Sequence, residues 1–340
     1  MNINEFYKNK TILVTGGVGY IGSALVKQLL QFQPHQIRIF DNRETELFHS
    51  QHLLKEHHNV RYLVGDVRDK ERVMYAAAGC DIVFHAAALK HVPSCEYNPS
   101  DAVKTNILGT QNVIEAAMSQ SVKKVIFIST DKAVNPTNTM GATKLVAERL
   151  MLNAQVSSPI TKFSCVRFGN VLNSRGSVIP LFESYIVSKQ PIPLTHEHMD
   201  RFFMPTDDAI NLILESGSHA EGKEIFILKM AALKIKDLAE VIREHHIDKG
   251  TIGKNESPIV ITGVRPGEKL SENLMTDEEA RVAEEQENMF IIRPELELPH
   301  VTTTTSNGKA RLDESKYNSH KATHLTKQEI KKLLTQHKIL

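Results

Sequence analysis

The chain has 340 residues, with 41 lysines and arginines against 40 aspartates and glutamates, which leaves a formal net charge of +1. This balance argues against proteins that coat nucleic acids or membrane surfaces, because their partners select a strong basic excess. Hydrophobic residues make up 41% and charged residues 24%. These values are typical of globular proteins and exclude disorder for most of the chain, whose length suits one large domain or two.

Targeting segments and metal motifs are not evident in the sequence. Apolar stretches stay well short of the ~20 residues that a spanning helix needs, and the start, MNINEFYKNK, lacks the apolar core of a signal peptide. Cys80, Cys95 and Cys165 are odd in number and have no metal-ligand spacing. We therefore expect a cytoplasmic protein with reduced thiols, no metal site, no membrane span and no nucleic-acid partner.

Short, nearly continuous apolar runs alternate with helical patterns in the first half of the chain. Such runs are typical of parallel strands that are covered on both faces. They predict strands at 11–15, 37–41, 60–66, 81–87, 124–130 and 163–168. Between the first two strands, Ile21, Leu25, Val26 and Leu29 form one helical stripe. The repeat predicts an α/β fold, a Rossmann-type doubly wound parallel sheet with right-handed crossovers.

The pattern changes after Arg167 and predicts a smaller C-terminal domain. Residues 169–202 are rich in Gly, Asn, Ser and Pro, and 224–228 is a candidate further strand of the sheet. Helices are predicted at 181–189, 234–245, 276–288 and after the capping box formed by Thr326 and Glu329.

A glycine-rich segment, TGGVGYIG, follows the first strand and opens the next helix. Gly16, Gly19 and Gly22 permit a tight turn and a close approach of the backbone to a pyrophosphate. The first helical turn, with Tyr20 and Ile21, supplies free N–H groups and the positive end of the helix dipole. The strand before the segment and the helix after it make this a predicted dinucleotide-binding loop.

Acidic residues end the next two strands. Asp41 is placed to accept a ribose 2′-hydroxyl, which favours NAD, whereas Arg43 suits a 2′-phosphate and leaves NADP open. Asp66, followed by Val67, either contacts adenine or caps the next helix.

Small residues close the fourth strand. Ala86 and Ala87 leave room for a dinucleotide at the carboxyl ends of the strands, and the preceding His85 alone is best interpreted as a satisfied core histidine. Asn106 either ties the fifth strand to the fourth or contacts the cofactor, and the pattern does not separate these two roles.

The fifth strand leads into STDKAVNP (129–136), which is followed by MGATK (140–144). With GDVRD, HAAALKHVP, KTNILGT, RFGNV, SRGSVIP and RPGEK, these segments resemble the UDP-N-acetylglucosamine 4,6-dehydratases. That family belongs to the extended short-chain dehydrogenases/reductases, and its members are often named polysaccharide biosynthesis proteins. The resemblance covers about residues 10–295, and STDKA and RPGEK are its most specific motifs.

One position departs from the superfamily pattern Tyr-x-x-x-Lys. Met140 stands where the tyrosine exchanges a hydroxyl proton, while Lys144 remains. A thioether cannot perform that proton transfer at useful rates. The protein is then either a non-catalytic cofactor-binding protein or uses another group, and the existence of a family branch that resembles this one in having methionine here favours the second interpretation.

The resemblance implies a role for each residue at the reacting sugar. Dehydration requires oxidation at C4, removal of the C5 proton, loss of water from C6 and return of the hydride to C6. Thr130 hydrogen-bonds the C4 oxygen, and Asp131 assists loss of the C4 proton and then protonates the leaving C6 hydroxyl. Lys132 is the C5 base, and Lys144 holds the nicotinamide ribose. The expected cofactor contacts also include Ser129 and Lys90.

The resemblance also implies an anionic nucleotide-sugar substrate. The residues expected to bind it are Lys90, His91, Asn170, Ser177, Val178, Arg201, Arg265 and Glu268. Arg201 is expected to hold the diphosphate, and Arg265 with Glu268 the uridine ribose, because arginine pairs with phosphate and carboxylates accept hydroxyls.

These inferences predict a nucleotide-sugar 4,6-dehydratase that converts UDP-N-acetylglucosamine into a UDP-2-acetamido-2,6-dideoxy-4-ketohexose for surface polysaccharide or glycan synthesis. A nucleotide-sugar 4-epimerase and a non-catalytic NAD-binding protein stay as alternatives, and the C5 configuration of the product is open. By analogy with the family we expect a homo-oligomer. The expected domains are an NAD(P)-binding domain at 1–172 with 203–230, a nucleotide-sugar domain at 173–202 with 231–295, and a polar tail at 296–340 with a terminal helix.

Overall fold

The computed structural model describes residues 2–174, 176–293 and 311–340. The chain divides into two compact units. The first consists of Met1–Phe168, Asp207–Leu228 and Thr276–Arg311, and the second of Gly169–Thr206, Lys229–Met275 and Leu312–Leu340.

The strands of the described residues belong to three sheets. In chain order they are β1 (Thr11–Thr15), β2 (Gln36–Asp41), β3 (Val60–Val64), β4 (Ile82–His85), β5 (Lys124–Ile128), β6 (Lys162–Arg167), β7 (Asn170–Val171), β8 (Ile192–Leu194), β9 (Asp200–Met204), β10 (Ile225–Leu228), β11 (Ala231–Lys234), β12 (Ile259–Ile261), β13 (Glu284–Glu285) and β14 (Met289–Ile292).

The helices lie between these strands. They are α1 (Ile3–Tyr7), α2 (Tyr20–Leu30), α3 (Glu44–Leu53), α4 (Lys70–Ala77), α5 (Val92–Tyr97), α6 (Pro99–Ala102), α7 (Gly109–Ser119), α8 (Thr139–Ala154), α9 (Val178–Val187), α10 (Thr206–His219), α11 (Ile235–Asp248), α12 (Glu279–Val282) and α13 (Lys327–Gln336). A π-helix, Val103–Leu108, precedes α7, and a 3₁₀ turn, Asp131–Ala133, follows β5.

The first unit contains the predicted doubly wound sheet. Its strand order is β13-β14-β10-β6-β5-β4-β1-β2-β3, and β10 runs parallel to β6, as expected for a further strand. The apolar runs form the central strands, with every residue of β1 and β4 buried. The order reverses beside β1, and at such a point the carboxyl ends of the strands leave a crevice for a ligand.

The segment after residue 276 differs from its predicted structure. Instead of a helix over 276–288, only α12 forms, and β13 and β14 follow it as an antiparallel edge of the first unit's sheet. The reason is that the apolar residues of β14 are buried by pairing with β10, which a helix would not allow. Residues 276–293 therefore belong to the first unit, not to the expected nucleotide-sugar domain. Conversely, residues 203–206, which include the end of β9 and were expected in the NAD(P)-binding domain, belong to the second unit.

The second unit has its own small sheets and apolar core. Its sheets are β11-β9-β7 and β12-β8, and α9, α11 and α13 supply buried residues to one cluster. Residues 296–310 of the predicted polar tail lie outside the described residues. The described part of the tail is anchored within the second unit, because Tyr317 is 2% exposed and its carbonyl accepts a hydrogen bond from the Leu274 N–H. The capping box of α13, Thr326 with Glu329, is confirmed.

Candidate active site

The glycine-rich loop between β1 and α2 lies against the end of β4. Gly16 has a φ of +67°, and a Cβ there would lie 2.7 Å from the Ala87 backbone nitrogen. A Cβ on Gly22 would lie 2.3 Å from the Gly16 carbonyl oxygen. Side chains at these two positions would break the contact of the loop with β4 and with the start of α2. The loop has the close-packed form that a dinucleotide cradle requires.

Asp41, at the end of β2, is buried and bound by Arg43. The Arg43 Nε and Nη2 atoms donate to the two carboxylate oxygens, each at 3.1 Å. The Val18 N–H of the glycine-rich loop also donates to Asp41, at 3.3 Å. The hydrogen bonds with Asp41 raise the pKa of Arg43. Asp41 therefore joins the glycine-rich loop to a half-exposed arginine.

Asp66 does not cap the next helix, so one of its two predicted roles is wrong. Asp69 caps α4 instead, since its side chain accepts from the Arg72 N–H. Asp66 accepts hydrogen bonds from the Arg68 side chain and from Asn42, and chiefly the Arg68 bond lowers the pKa of Asp66 to about 2. The neighbouring Val67 is buried.

His85 is a satisfied core histidine, as the sequence indicates. It is fully buried, and its ring nitrogens lie 2.7 Å from Thr15 Oγ1 and 3.0 Å from Thr110 Oγ1. Burial, helped by the nearby Lys144 charge, lowers the pKa of His85 to about 3. The ring is therefore neutral at physiological pH and links β1, β4 and α7.

Asn106 holds the segment after β4 against α8 rather than the fifth strand against the fourth, and its other expected role, a contact with the cofactor, stays a prediction. It lies in the π-helix that precedes α7, a distortion that is frequent at functional sites. Its Oδ1 accepts from the Leu89 N–H at 2.8 Å, while Nδ2 donates to the Leu89 carbonyl at 3.0 Å and to Thr143 Oγ1 at 2.9 Å. Lys90 and His91 directly follow Leu89 and are exposed, and burial of part of the ring lowers the pKa of His91.

Thr130, Asp131 and Lys132 meet at one buried oxygen. The Thr130 hydroxyl and the Lys132 ammonium both donate to Asp131 Oδ1, each at 2.9 Å. Asp131 is fully buried, and its Oδ2 has no hydrogen-bond partner among the described residues. The Lys132 side chain is 24% exposed. The adjacent Ser129 hydroxyl is likewise buried without a partner in the described part of the chain.

The start of α8 packs closely against the loop that carries Lys132. The Asn138 side chain caps this helix by accepting from the Gly141 N–H at 2.8 Å. A Cβ on Gly141 would lie 2.3 Å from the Lys132 carbonyl oxygen, so only glycine fits there. Met140 is 2% exposed and packs with Val92, Cys95 and Ala102 in a small apolar cluster. The tyrosine position of the superfamily therefore carries an apolar packing residue.

Lys144 lies one turn further along α8 and is 6% exposed. Its Nζ donates to the Ile128 carbonyl at the end of β5, at 2.7 Å, and lies 4.3 Å from the centre of the Phe127 ring. Burial lowers the pKa of Lys144 to about 8, although the carboxylate of Glu148 acts in the opposite direction.

A buried ion triad below the site was not anticipated from the sequence. Arg167, the last residue of β6, pairs with Glu148 of α8 at 2.7 Å and with Glu279 of α12 at 2.9 Å. The Glu279 carboxylate also accepts from the Thr276 N–H, at 2.8 Å. The sequence did contain a signal for it, because an arginine at the end of a buried strand needs a carboxylate partner.

Arg201, at the start of the second unit's β9, binds its own neighbourhood. Its Nη1 donates to the carbonyls of Asp200 and Leu270, and Nη2 donates to that of Lys269 at 2.6 Å. Its Nε lies 3.9 Å from the Glu272 carboxylate. Arg201 as a whole is 6% exposed. Its guanidinium holds the last residue of RPGEK and the residue after it in place, instead of standing open to solvent as a diphosphate clamp would.

The other expected nucleotide-sugar residues of this unit lie on loops and element ends. Arg265 is exposed, and its N–H donates to the Glu268 side chain at 3.2 Å. Ser177 precedes α9, whose first residue is Val178, and the Ser177 Oγ is buried without a partner among the described residues. Asn170 begins β7. Arg175, in the same SRGSVIP motif as Ser177, lies outside the described residues.

The described residues contain neither a candidate metal cluster nor a candidate membrane-spanning helix. Among residues 2–174, 176–293 and 311–340, no group of three or more His, Cys, Asp or Glu side chains could hold a metal ion. Within the same ranges, no helix combines the length and the hydropathy needed to cross a membrane.

Comparisons with known proteins agree with this fold. Residues 12–294 match the family model described as polysaccharide biosynthesis protein. A Methanocaldococcus jannaschii protein named an uncharacterized membrane protein is 50% identical over 98% of both chains. The solved structure of Pen from Bacillus thuringiensis is 43% identical, with a TM-score of 0.90 over 97% of this chain and 98% of that one.

Relatives named for two different activities match the chain. The inverting UDP-N-acetylglucosamine 4,6-dehydratase of Campylobacter jejuni is 40% identical over 86% of this chain and 85% of its own. The UDP-glucose 4-epimerase of Rickettsia prowazekii is 36% identical over 96% of each chain. The chain therefore belongs to the polysaccharide biosynthesis protein family of extended short-chain dehydrogenases/reductases, the family of the UDP-N-acetylglucosamine 4,6-dehydratases, and it is an enzyme of the nucleotide-sugar dehydratase and epimerase kind.

Proposed function

We propose that the protein is a nucleotide-sugar 4,6-dehydratase. The observation that carries this proposal is the buried Asp131 carboxylate, which binds the Thr130 hydroxyl and the Lys132 amine through one oxygen and leaves the other unpartnered among the described residues. Elimination of water from a 4-keto sugar needs an acid and a base within the width of one sugar ring. A 4-epimerase does not require such a pair.

The cofactor is proposed to be a nicotinamide dinucleotide held by the first unit. The crowded positions of Gly16 and Gly22, where no Cβ fits, and the buried Asp41 at the end of β2 suit its pyrophosphate and its adenosine ribose. When bound, the cofactor accepts the C4 hydride of the sugar and returns it to C6, so that none is consumed. The buried amine of Lys144 is assigned to the nicotinamide ribose.

Proton transfer is assigned to the loop after β5. Thr130 can hydrogen-bond the C4 oxygen and is itself bound to Asp131, so a proton leaving the C4 hydroxyl has a path to a carboxylate. Met140, in its apolar cluster, has no part in this path. Once protonated, Asp131 can deliver that proton to the departing C6 hydroxyl, which links the first proton transfer to the last.

Lys132 is assigned to removal of the C5 proton. Its ammonium is paired with Asp131 in the structure, and an ammonium cannot accept a proton. Protonation of Asp131 by the C4 hydroxyl would remove the charge that holds this pair. Because the Lys132 side chain is 24% exposed, the ammonium can then release its proton to solvent. The neutral amine takes the C5 proton, so that C4 oxidation precedes C5 deprotonation.

The substrate is proposed to be UDP-N-acetylglucosamine. The proposal rests on the dehydratase relative from Campylobacter jejuni and on the RPGEK segment of the second unit, whose Arg265 is exposed. Arg201 is assigned a supporting role, since its guanidinium holds the carbonyls of Lys269 and Leu270. The product would be the 6-deoxy-4-keto sugar nucleotide used in surface polysaccharide synthesis.

A 4-epimerase is the second candidate, because one group of relatives carries that name. Incubation with UDP-N-acetylglucosamine in deuterated water separates the two. Dehydration predicts a product that has lost one water and carries deuterium at C5. A product of unchanged mass with the C4 configuration inverted and no deuterium would replace the proposal with epimerisation.

A further inference from the structure

The RPGEK segment is held by contacts with other parts of the second unit and not by its own secondary structure. Residues 262–272 form neither helix nor strand, and Arg265 within them is exposed. The backbone groups of such a segment need partners elsewhere. Two parts of the second unit supply them, namely the start of β9 and the tail residues 317–320, YNSH.

Ser319 is the central contact between the tail and this segment. It is fully buried, and its hydroxyl accepts from the Glu272 N–H at 2.8 Å and donates to the Asp200 carboxylate. The Ser319 N–H donates to the Glu272 carbonyl at 2.9 Å. Asp200 is buried as well, and its own N–H donates to the Leu270 carbonyl at 3.0 Å. A single hydroxyl therefore joins the tail, β9 and the residues after RPGEK.

The neighbours of Ser319 in the tail reinforce this attachment. The Tyr317 carbonyl accepts from the Leu274 N–H at 2.8 Å, and the Asn318 Nδ2 donates to Asn273 Oδ1 at 2.7 Å. Three consecutive tail residues thus bind three consecutive residues of the segment, in antiparallel order.

Glu272 connects this attachment to the last residue of the RPGEK motif. Its buried carboxylate lies 3.6 Å from the Lys269 Nζ and 3.9 Å from the Arg201 Nε. Arg201 in turn donates to the Lys269 carbonyl at 2.6 Å. Both the side chain and the carbonyl of Lys269 are therefore held by groups that Ser319 or β9 keep in place.

We propose that Ser319 is a positioning residue for the substrate, because it fixes the RPGEK segment in the conformation in which Arg265 and Glu268 bind the uridine part of the nucleotide sugar. The inference rests on the proposed function, since it concerns the nucleotide of the same reaction. A segment that is ordered before the ligand arrives loses less conformational freedom on binding. Loss of the Ser319 hydroxyl removes a donor from the buried Asp200 and loosens the segment, so it should weaken nucleotide binding.

The test measures binding of UDP to the full chain by titration calorimetry and turnover of UDP-N-acetylglucosamine by the same protein. Ser319→Ala is expected to weaken UDP binding and to raise KM by about 10-fold, the effect of losing buried hydrogen bonds, while kcat stays within about 3-fold of the wild-type value. Asp200→Asn keeps an oxygen that can accept from Ser319 and should retain part of the affinity. Amide hydrogen exchange of residues 265–274 should be faster in Ser319→Ala before UDP is added.

Thr326→Ala is the matched control. It removes a hydroxyl from the same tail, the one that caps α13, and should leave the affinity for UDP unchanged. The inference is overturned if wild-type protein does not bind UDP, if Ser319→Ala binds UDP as tightly as the wild type, or if Thr326→Ala weakens binding equally.

Two further points keep the outcomes distinct. If Ser319→Ala does not fold, Asn318→Ala, which removes the hydrogen bond to Asn273, is judged by the same criteria. Wild-type turnover is measured in the same series, so a protein that binds UDP but does not dehydrate the sugar would overturn the proposed function and leave the role of Ser319 in nucleotide binding standing.

Discussion

Removal of the Arg167 guanidinium should destabilise the first unit severely. The Arg167 side chain is 2% exposed and pairs with the carboxylates of Glu148 and Glu279, which are 2% and 11% exposed. Arg167→Met keeps an unbranched apolar stem but removes the guanidinium that pairs with both buried carboxylates. Breaking a buried ion pair from one side is destabilising by about 3–5 kcal/mol, a large part of the ~5–15 kcal/mol that stabilises a typical domain.

The pKa of Glu279 shows that this buried carboxylate depends on Arg167. Its burial alone would raise its pKa, but attraction to Arg167 and hydrogen bonds from Arg167 and the Thr276 N–H outweigh it, and the pKa of Glu279 is lowered. Without Arg167 the unfavourable effect of burial remains, opposed by the Thr276 hydrogen bond and by the charge of Arg149. Glu148, one turn beyond Lys144 on α8, would lose its partner in the same substitution.

The assay is urea unfolding followed by circular dichroism, with turnover measured on the same samples. Turnover should fall as well. The carbonyl of Phe168, next to Arg167, accepts a hydrogen bond from the Asp131 N–H at 3.0 Å, so a displaced Arg167 would also displace the proposed catalytic carboxylate. The matched control combines Arg167→Met with Glu148→Gln and Glu279→Gln, and it should be clearly more stable than Arg167→Met alone because no buried charge remains. A loss below about 1 kcal/mol for Arg167→Met would refute the reasoning.

Two further predictions concern α8. Met140→Leu should retain most of the turnover and keep its free energy of unfolding within about 1.5 kcal/mol, because Met140 only fills an apolar cluster. A folded but inactive variant would show that the thioether has a chemical role. Burial lowers the pKa of Lys144 from 10.5 to about 8. Between these pH values the unfolded chain binds more protons than the folded one, so the stability of the wild-type protein should rise with pH relative to that of Lys144→Met. Denaturant unfolding of the two proteins across that range tests this, and a stability difference that does not change with pH would contradict it.

The sheet could be predicted from the sequence because its signal is local. Continuous apolar runs such as those of β1 and β5 mark strands covered on both faces, and glycines such as Gly16 mark a turn that no side chain allows. Asp131 and Lys132 were identified through the resemblance of their motif. Whether their side chains meet depends on the turn after β5, which the sequence pattern alone does not define.

The features that could not be predicted are those set by distant partners. Thr276 and Glu279 give a true helix-start signal, but the helix ends after one turn because β14 pairs with β10 and Glu279 is held by Arg167. Arg201 is of a residue type that commonly binds phosphate, yet its guanidinium donates hydrogen bonds to three backbone carbonyls. Homo-oligomer formation and a cytoplasmic location stay predictions.

The central claim is that oxidation at C4 precedes removal of the C5 proton by Lys132, and rapid mixing of Lys132→Ala with cofactor and UDP-N-acetylglucosamine tests it most directly. The absorbance of reduced nicotinamide and the 6-deoxy product are followed together. The account predicts that reduced nicotinamide accumulates to a large fraction of the enzyme while product formation and deuterium incorporation at C5 are lost. Rapid formation of deuterated 6-deoxy product without accumulation of reduced nicotinamide would contradict it.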